Sequence, residues 1–430
     1  MTERIVHIGL GAFFRAHQAW YTQHSSEPNE WQIVAYTGRS PQAADELNAQ
    51  GCDYTLIERG VDGDRLEKIT VISRAVPGSD IEDFLATMAK PEIAIVTLTI
   101  TEAAYLTNES DLEASALGRL ALGLEARRLA GGFPIAVVPC DNMPDNAEVI
   151  HRALSKLGAS LGKEFIDYLD SKVSFVSTSI DRITPKTTKS DIESLKLSGI
   201  EDNSPVVTES FSDWILSGEF PAGRPDWEKA GAKFVSNITA FENRKLWLLN
   251  GSHTLLASLG QLRGHETVAQ AISDPVCRNA VEELWDSAEN NLTEPGLDIS
   301  AYRAALIARF ENPRIEHRLA QIVQDSSIKL SVRIAPVANS ELSHGRVPAA
   351  AATAFAAWIL LAMKGPVTDQ KASLISQALS GADPVRSMIE VVSEELASEA
   401  DFVEAVREEV KELQTMLDSN RVVEPAVMNN

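Results

Sequence analysis

Two kinds of apolar pattern divide the chain. In the first half, short continuous or alternating apolar runs are separated by helical stretches. Arg4–Gly11 reads as a buried strand built on IVHIGL and broken at Gly9 and Gly11, and Ala12–Thr22 then has helical periodicity. Trp31–Tyr36 is the next strand, Tyr54–Ile57 and Val71–Ser73 are short ones, and Asp80–Met88 is a helix capped by Ser79 or Asp80. Ile93–Ile100, IAIVTLTI, is the strongest strand, rich in β-branched residues and apolar enough for burial on both faces. Helix Leu112–Leu129, strand Ile135–Pro139, helix Ala147–Leu157 and strand Val173–Ile180 continue the alternation. A polar excursion at Lys186–Gly199 precedes return strands at Val206–Phe211 with Trp214, and at Phe234–Asn237. From about Ile238 strand-like runs give way to helical periodicity: a helix carrying Glu242 to His253 towards Leu262, then Asp274–Glu289, Ile299–Ala308, helical pieces within Asn312–Ile334, Ala349–Met363, Gln370–Ala378 and pieces of Pro384–Leu417. Alternating strands and helices predict a parallel α/β sheet. The expected architecture is an α/β Rossmann-type N-terminal domain, residues 1–238, followed by a mainly α-helical C-terminal domain, residues 239–430.

Composition narrows the function classes. A chain of 430 residues exceeds one ordinary core, which agrees with two domains. The formal net charge of −22 argues against general binding to nucleic acid or to an anionic membrane, both of which need a basic face, but leaves room for a local anion pocket. Cys52, Cys140 and Cys277 form neither a disulfide framework nor a zinc pattern, which suits a reducing cytoplasm. The opening MTERIVHIGLGAFF reads as a strand, with too short an apolar run for a signal peptide, and no run is long enough to span a bilayer.

The candidate chemistry lies at strand ends and in one helix. A strand, a glycine turn and a helix at the start of the chain are how a dinucleotide-binding half begins, although Phe14 stands where the third glycine of the generic fingerprint would be. After the second strand come Thr37, Gly38, Arg39 and Ser40. An acidic residue there would hold the ribose of NAD; Arg39 leans towards the 2′-phosphate of NADP, or is a solvated turn residue. Polar residues also follow Ile93–Ile100 (Thr101, Glu102), Ile135–Pro139 (Asp141, Asn142, Asp145, Asn146) and Val173–Ile180 (Asp181, Arg182), the ends at which open α/β sheets bind ligands. Asn142 offers a substrate amide, whereas Asp145 and Asn146 also fit an Asx-turn and helix cap.

The segment Phe241–His253, FENRKLWLLNGSH, places Glu242, Lys245, Asn250 and His253 within an arc of about 140° on an ideal α-helix, interleaved with apolar residues. Burial lowers the pKa of a lysine towards that of a general base, and an asparagine amide can stabilise a developing alkoxide. The structural alternative has Lys245 reaching water along its stem and Asn250 capping the backbone.

These pieces together resemble one family. GLGAFFRAHQA (Gly9–Ala19), VTLTITEAAY (Val96–Tyr105), CDNMPDN (Cys140–Asn146), SIDRITP (Ser179–Pro185), KLWLLNGSHTLLASLG (Lys245–Gly260) and HRLAQIVQDSSIKLSVR (His317–Arg333) are similar, in order, to the signatures of the mannitol dehydrogenase family of polyol-specific long-chain dehydrogenases, which includes fructuronate and tagaturonate reductases. The resemblance implies zinc-independent hydride transfer with NAD or NADP and no metal ligands. It implies Lys245 as general base, Asn142 and Asn250 as the amide pair, His253, Asp181 and a late cation (Arg318, Lys329 or Arg333) orienting the substrate, and Glu242 as the proton exit. It sets Gly9, Gly11, Phe13, Arg15 and Arg39, with Thr99 and Glu102, beside the cofactor. The expected partner is a small sugar alcohol or sugar acid, and the expected state a monomer or small homo-oligomer. Phe14, Ala103, Ala104, Ser326 and Ser331 depart from the family pattern and bear on specificity more than on reaction class. Lys329 and Arg333 match the spacing in the uronate reductases, tilting the choice from mannitol/fructose towards mannonate/fructuronate. Two other readings stand beside this one: a 6-phosphogluconate or hydroxyacid type of dehydrogenase, and a catalytically silent nucleotide-binding sensor.

Overall fold

The computed structural model of the chain describes residues 2–38, 40–101, 104–105, 112–315 and 317–421. The chain divides into two compact units, Met1–Ile238 and Thr239–Asn430.

The first unit is organised by a six-stranded parallel sheet. Its strands are β1 (Glu3–Ile8), β2 (Gln32–Tyr36), β5 (Ile72–Val76), β6 (Ile95–Leu98), β7 (Ile135–Pro139) and β8 (Val173–Phe175), in the spatial order β5-β2-β1-β6-β7-β8. That order reverses direction between β1 and β6, which makes their carboxyl ends the topological switch point. Side chains alternate across the sheet, and both faces are buried. Ile5, Ile33, Ala35, Ile95 and Val138 enter one core, while Val6, Val34, Val96, Leu98 and Val137 enter the other. The continuous apolar runs of the sequence therefore mark strands covered on both sides.

Several local expectations change. Ala12–Thr22 is two short helices, Ala12–Ala16 and Gln18–Gln23, parted at His17 (φ −118°, ψ −85°). The buried His17 ring lies 3.2 Å from the Asp213 carbonyl and packs edge-on to Trp214, so tertiary contacts override helical periodicity. Val173–Ile180 is split at Val176: β8 stays in the main sheet, and β9 (Ser177–Asp181) joins β11 (Asp213–Ser217) and β12 (Lys233–Phe234). β10 (Val206–Thr208) does not return to the main sheet but pairs with β3 (Tyr54–Gly60), whose other neighbour is β4 (Gly63–Ile69). The excursion Lys186–Gly199 contains a helix, Lys189–Leu197, closed by a Thr188/Asp191 capping box.

The second unit is helical. Its central element runs through Thr239–Arg244, Lys245–Asn250 and Gly251–Leu262, the last of these almost wholly buried. Gly260 is needed there because a Cβ would come within 2.7 Å of Leu319 Cδ1 and 2.9 Å of Ala271 Cβ. Around it pack the helices Pro275–Glu289, Ser326–Arg333 and Ala349–Lys364. Among the described residues no helix is long and apolar enough to cross a membrane.

Candidate active site

In the first unit, Gly9 ends β1 at φ +109° and is followed by Leu10 and Gly11. A Cβ on Gly9 would sit 2.0 Å from the Thr99 carbonyl oxygen, so only glycine lets β1 and β6 approach this closely. Thr99 Oγ1 donates to the Gly9 carbonyl at 2.9 Å, tying the two strand ends across the switch point. Behind them the His7 imidazole bonds Thr97 Oγ1 at 2.8 Å and lies 3.1 Å from Thr99 Oγ1, and burial drives its pKa down to about 3. Phe14, which takes the third glycine's place, is fully buried and stacks on the His7 ring with centroids 3.5 Å apart. The departure from the fingerprint is thus filled by core packing.

Arg15 braces the turn from within the unit: Nη1 donates to the Ser204 carbonyl at 2.7 Å and Nε to the Gly11 carbonyl at 3.3 Å. Phe13 packs against the His17 ring, with centroids 5.1 Å apart. Arg39 and Glu102 lie outside the described residues. Thr101, just beyond β6, has φ +72°, a strained conformation for a β-branched residue and one often found at functional sites. The side chain that holds this stretch is Asp141, which sequence reasoning placed in a polar cluster without giving it a role. Its carboxylate accepts from the Ile100 N–H at 3.0 Å, the Thr101 N–H at 2.8 Å and Tyr105 Oη at 2.7 Å. Burial raises its pKa, and these hydrogen bonds oppose the rise. Asn142, next in the chain, is exposed, whereas Asn146 is buried and exchanges hydrogen bonds with the Thr178 backbone at 2.7 and 3.0 Å. The local Asx-turn and helix cap expected of Asp145 or Asn146 is replaced by this long-range clamp: Asp145, the N-cap of the helix Asn146–Gly158, makes no side-chain capping hydrogen bond. Asp181 ends β9 and is buried. Its neighbour Arg182 is committed to the carbonyls of Ala16 and Glu209.

In the second unit the segment Lys245–Asn250 is a π-helix, with the Gly251 N–H reaching the Leu246 carbonyl five residues back. In an α-helix residues five apart diverge by about 140° around the axis. An i→i+5 repeat instead brings Lys245 and Asn250 towards one line, and such single π turns recur at functional sites. Side chains support the turn: Trp285 Nε1 donates to the Leu248 carbonyl at 2.9 Å and to Ser252 Oγ at 2.7 Å, and Thr254 Oγ1 donates to the Asn250 carbonyl at 3.0 Å. Glu242 and Lys245 are both half-buried.

Asn250 and His253 line a cavity of about 260 Å³ together with His317, Gln321, Ile322, Lys329 and Arg333. Lys329 and Arg333 stand one turn apart on the helix Ser326–Arg333. Its first turn is tied down by Asp369, which accepts from the Ser327 N–H at 2.9 Å and Ser327 Oγ at 2.6 Å. Lys329 Nζ donates to the Ile322 carbonyl at 2.7 Å. Burial lowers the pKa of both cations, that of Arg333 to about 10, which leaves it charged at neutral pH. Among the described residues no carboxylate lines the cavity. The His253 imidazole is held neutral, first by burial and then by the neighbouring His317, Arg309, Arg333 and Lys329. Among the described residues Asn250 Oδ1, His253 Nε2 and Arg333 Nε are buried polar atoms without a hydrogen-bond partner, on the wall of a space large enough for a small ligand.

Of the three late cations singled out in the sequence, Arg318 is not brought to this cavity. It is exposed, with Nη1 4.0 Å from Glu266 Oε2, and its backbone forms an isolated bridge with Thr267. His317 and Gln321 do line it; both lie within His317–Arg333, where no local pattern marks them as site residues.

Comparison with known proteins gives consistent results. Residues 3–229 match the model of the mannitol dehydrogenase Rossmann domain, and residues 237–414 match that of the mannitol dehydrogenase C-terminal domain. The chain is 33% identical to the D-mannonate oxidoreductase of Escherichia coli (strain K12), with 94% of this chain and 92% of that protein covered. It is 34% identical to the mannitol 2-dehydrogenase of Aspergillus terreus, with 78% of this chain and 73% of that protein covered. Among solved structures it is similar to the Pseudomonas fluorescens mannitol 2-dehydrogenase ternary complex with NAD and D-mannitol, with a TM-score of 0.78 at 31% identity, covering 99% of this chain and 95% of that one.

Proposed function

Because the chain belongs to the mannitol dehydrogenase family, we propose that it is an NAD- or NADP-dependent oxidoreductase interconverting a secondary alcohol of an aldonate, of the D-mannonate class, with the corresponding keto-uronate. The match to both domain models favours this reading over a 6-phosphogluconate or hydroxyacid type and over a silent sensor.

The first unit fits a dinucleotide. Its strand order reverses at β1 and β6, and the backbone there is bare: a Cβ on Gly38 would meet nothing within 4 Å, and one on Gly11 only the Gly9 carbonyl at 3.5 Å. When bound, a nicotinamide supplies the hydride acceptor for the alcohol and the hydride donor for the ketone. The chain's own residues do the rest. Lys245 Nζ takes the hydroxyl proton during oxidation and returns it during reduction. The amides of Asn250 and Asn142 hydrogen-bond the oxygen as it gains negative charge. His253 orients a hydroxyl as a neutral imidazole, Asp181 accepts from another, and Glu242 relays the proton from Lys245 to water. A lysine and two amides here take the part that a Lewis acid plays in metal-dependent alcohol oxidation.

The preference for an acid rests on one observation. In a chain of net charge −22, the cavity beside Asn250 and His253 carries Lys329 and Arg333 and, among the described residues, no carboxylate. Such a lining binds a carboxylate better than a neutral hydroxymethyl group. The test is loss of nicotinamide absorbance with NADH or NADPH and either D-fructuronate or D-fructose. Turnover of fructuronate with at least about tenfold higher kcat/KM, a gap of about 1.4 kcal/mol, is the expected result. Preference for fructose would make the substrate a neutral polyol.

A further inference from the structure

One imidazole on the cavity wall has no part in the chemistry above. His317 lies just before the Leu319–Ile322 helix, and its main chain is fixed on both sides: its N–H donates to the Ile315 carbonyl at 2.8 Å, and its carbonyl accepts from the Val268 N–H at 3.0 Å. The half-buried ring lies edge-on to His253, with centroids 4.7 Å apart and planes at 79°. Among the described residues its ring nitrogens make no hydrogen bond, so the backbone is anchored while the polar atoms of the side chain are left for a ligand.

Among the described residues the charges that act on this pair come from two helices. Arg309 belongs to Ile299–Phe310, and Lys329 and Arg333 to Ser326–Arg333. The helix Gly251–Leu262 contributes His253, while Asp325 and Asp369 act on Lys329. Burial followed by Arg309 lowers the pKa of His317, whereas His253 is opposed by burial, His317, Arg309, Arg333 and Lys329 together. Of the two rings, His317 is thus the one that an arriving anion converts to imidazolium. An opposite charge within about 4–6 Å raises such a pKa by about 1–3 units, and here the same anion also offsets the opposing cations.

We propose that His317 is a specificity-determining residue: it meets the substrate carboxylate beside Lys329 and Arg333 as an imidazolium, so that a sugar acid binds with uptake of a proton and a neutral polyol does not. This rests on the sugar-acid reading of the cavity. Because the complex then holds more protons than the free protein, affinity for the acid weakens as pH rises, by up to about tenfold per unit between the free and bound imidazole pKa values.

The test is calorimetric titration of D-mannonate and D-mannitol into the full chain with NADH present, at pH 7 in two buffers of different ionisation enthalpy. D-Mannonate is expected to bind with uptake of more than about half a proton, lost in His317→Gln and absent for D-mannitol. Binding of mannonate without uptake, or with uptake unchanged in His317→Gln, overturns the proposal and leaves the sugar-acid reading standing. Binding of mannitol but not mannonate overturns that reading itself, and the proposal with it. Ring-labelled histidine NMR of the unsubstituted protein reads the same step without relying on the variant's fold. One imidazole moving to the charged form as mannonate is added supports the assignment, and two rings that stay neutral refute it.

Discussion

Arg333 donates through Nη1 to the main-chain carbonyl of Asn250 at 3.3 Å and to Thr254 Oγ1 at 3.1 Å. A residue that supplies positive charge to the cavity, with Lys329, therefore also holds the end of the π turn that carries Asn250. On the proposed function, one side chain thus acts both on the substrate's charge and on the amide that meets its reacting oxygen.

Replacing Arg333 with Met should act on both. A charge-assisted contact is worth about 1.5–3 kcal/mol, so KM for D-fructuronate should rise about 10- to 100-fold, with a smaller rise for D-fructose. kcat should fall with either substrate because Asn250 loses its anchor. Arg333→Lys should recover part of the acid binding but not kcat, since one ammonium nitrogen must serve the Asn250 and Thr254 oxygens and the substrate together, whereas a guanidinium spreads its donors over three nitrogens held in a planar fork. Equal changes in KM for the two substrates would remove the carboxylate from this position.

The π turn leans on Trp285, which is fully buried and donates to the Leu248 carbonyl and Ser252 Oγ. Trp285→Phe keeps the apolar contact and removes the donor. Leaving that carbonyl short of a partner costs about 1–3 kcal/mol. Urea unfolding should show this loss together with a lower kcat, whereas an unaltered kcat would mean that the turn holds its shape without the indole.

Gly9 and Gly38 make a matched pair. Gly9→Ala forces a Cβ to within 2.0 Å of the Thr99 carbonyl at φ +109°, while Gly38→Ala meets nothing within 4 Å. The first should cost at least about 1–3 kcal/mol of stability and weaken NADH binding, because β1 and β6 must part. The second should leave stability within about 0.5 kcal/mol. Thermal melts of the two variants, with and without NADH, separate these outcomes.

Asp274 predicts a pH dependence. It caps Pro275–Glu289 through the Val276 N–H and accepts from Arg263 Nε at 2.6 Å and His265 Nε2 at 2.9 Å. Burial works to raise its pKa, but the hydrogen bonds to Arg263 and His265 prevail and hold it down at about 2. A depressed folded-state pKa gives stability that is full above the unfolded value near 4 and is lost as pH falls through about 2. Asp274→Asn should therefore be less stable than the parent by about 2 kcal/mol at pH 6, and the gap should close between about pH 4 and pH 2. A gap independent of pH would show that the carboxylate charge contributes nothing.

The sequence is most legible where one strong pattern dictates one structure. IVHIG and IAIVTLTI could only be buried strands, and they lie side by side at the switch point. The set Lys245, Asn250 and His253 was visible as polar residues interleaved with an apolar run. What periodicity could not show was the π turn, because the extra residue is accommodated by tertiary donors, Trp285 and Arg333, that lie 37 and 83 residues away from their acceptors. His317 was hidden for a similar reason: a lone histidine beside Arg318 gives no local hint of which of the two turns inward. The strand Gly63–Ile69 was missed because most of it is exposed, although Asp62-Gly63 is a hairpin signal. The helix Lys163–Lys172 buries Phe165, Tyr168 and Leu169 at i, i+3 and i+4, a signal that was present and passed over.

The most direct test of the central claim is the pH profile of alcohol oxidation in the parent and in Lys245→Met, with D-mannonate and the preferred nicotinamide. If Lys245 moves the hydroxyl proton, the parent rate should fall on the acid side as the lysine becomes protonated, and the variant should lose that limb together with about 10²- to 10⁴-fold in kcat. A variant that keeps its rate and an unchanged pH profile would contradict the assignment and place the proton transfer elsewhere.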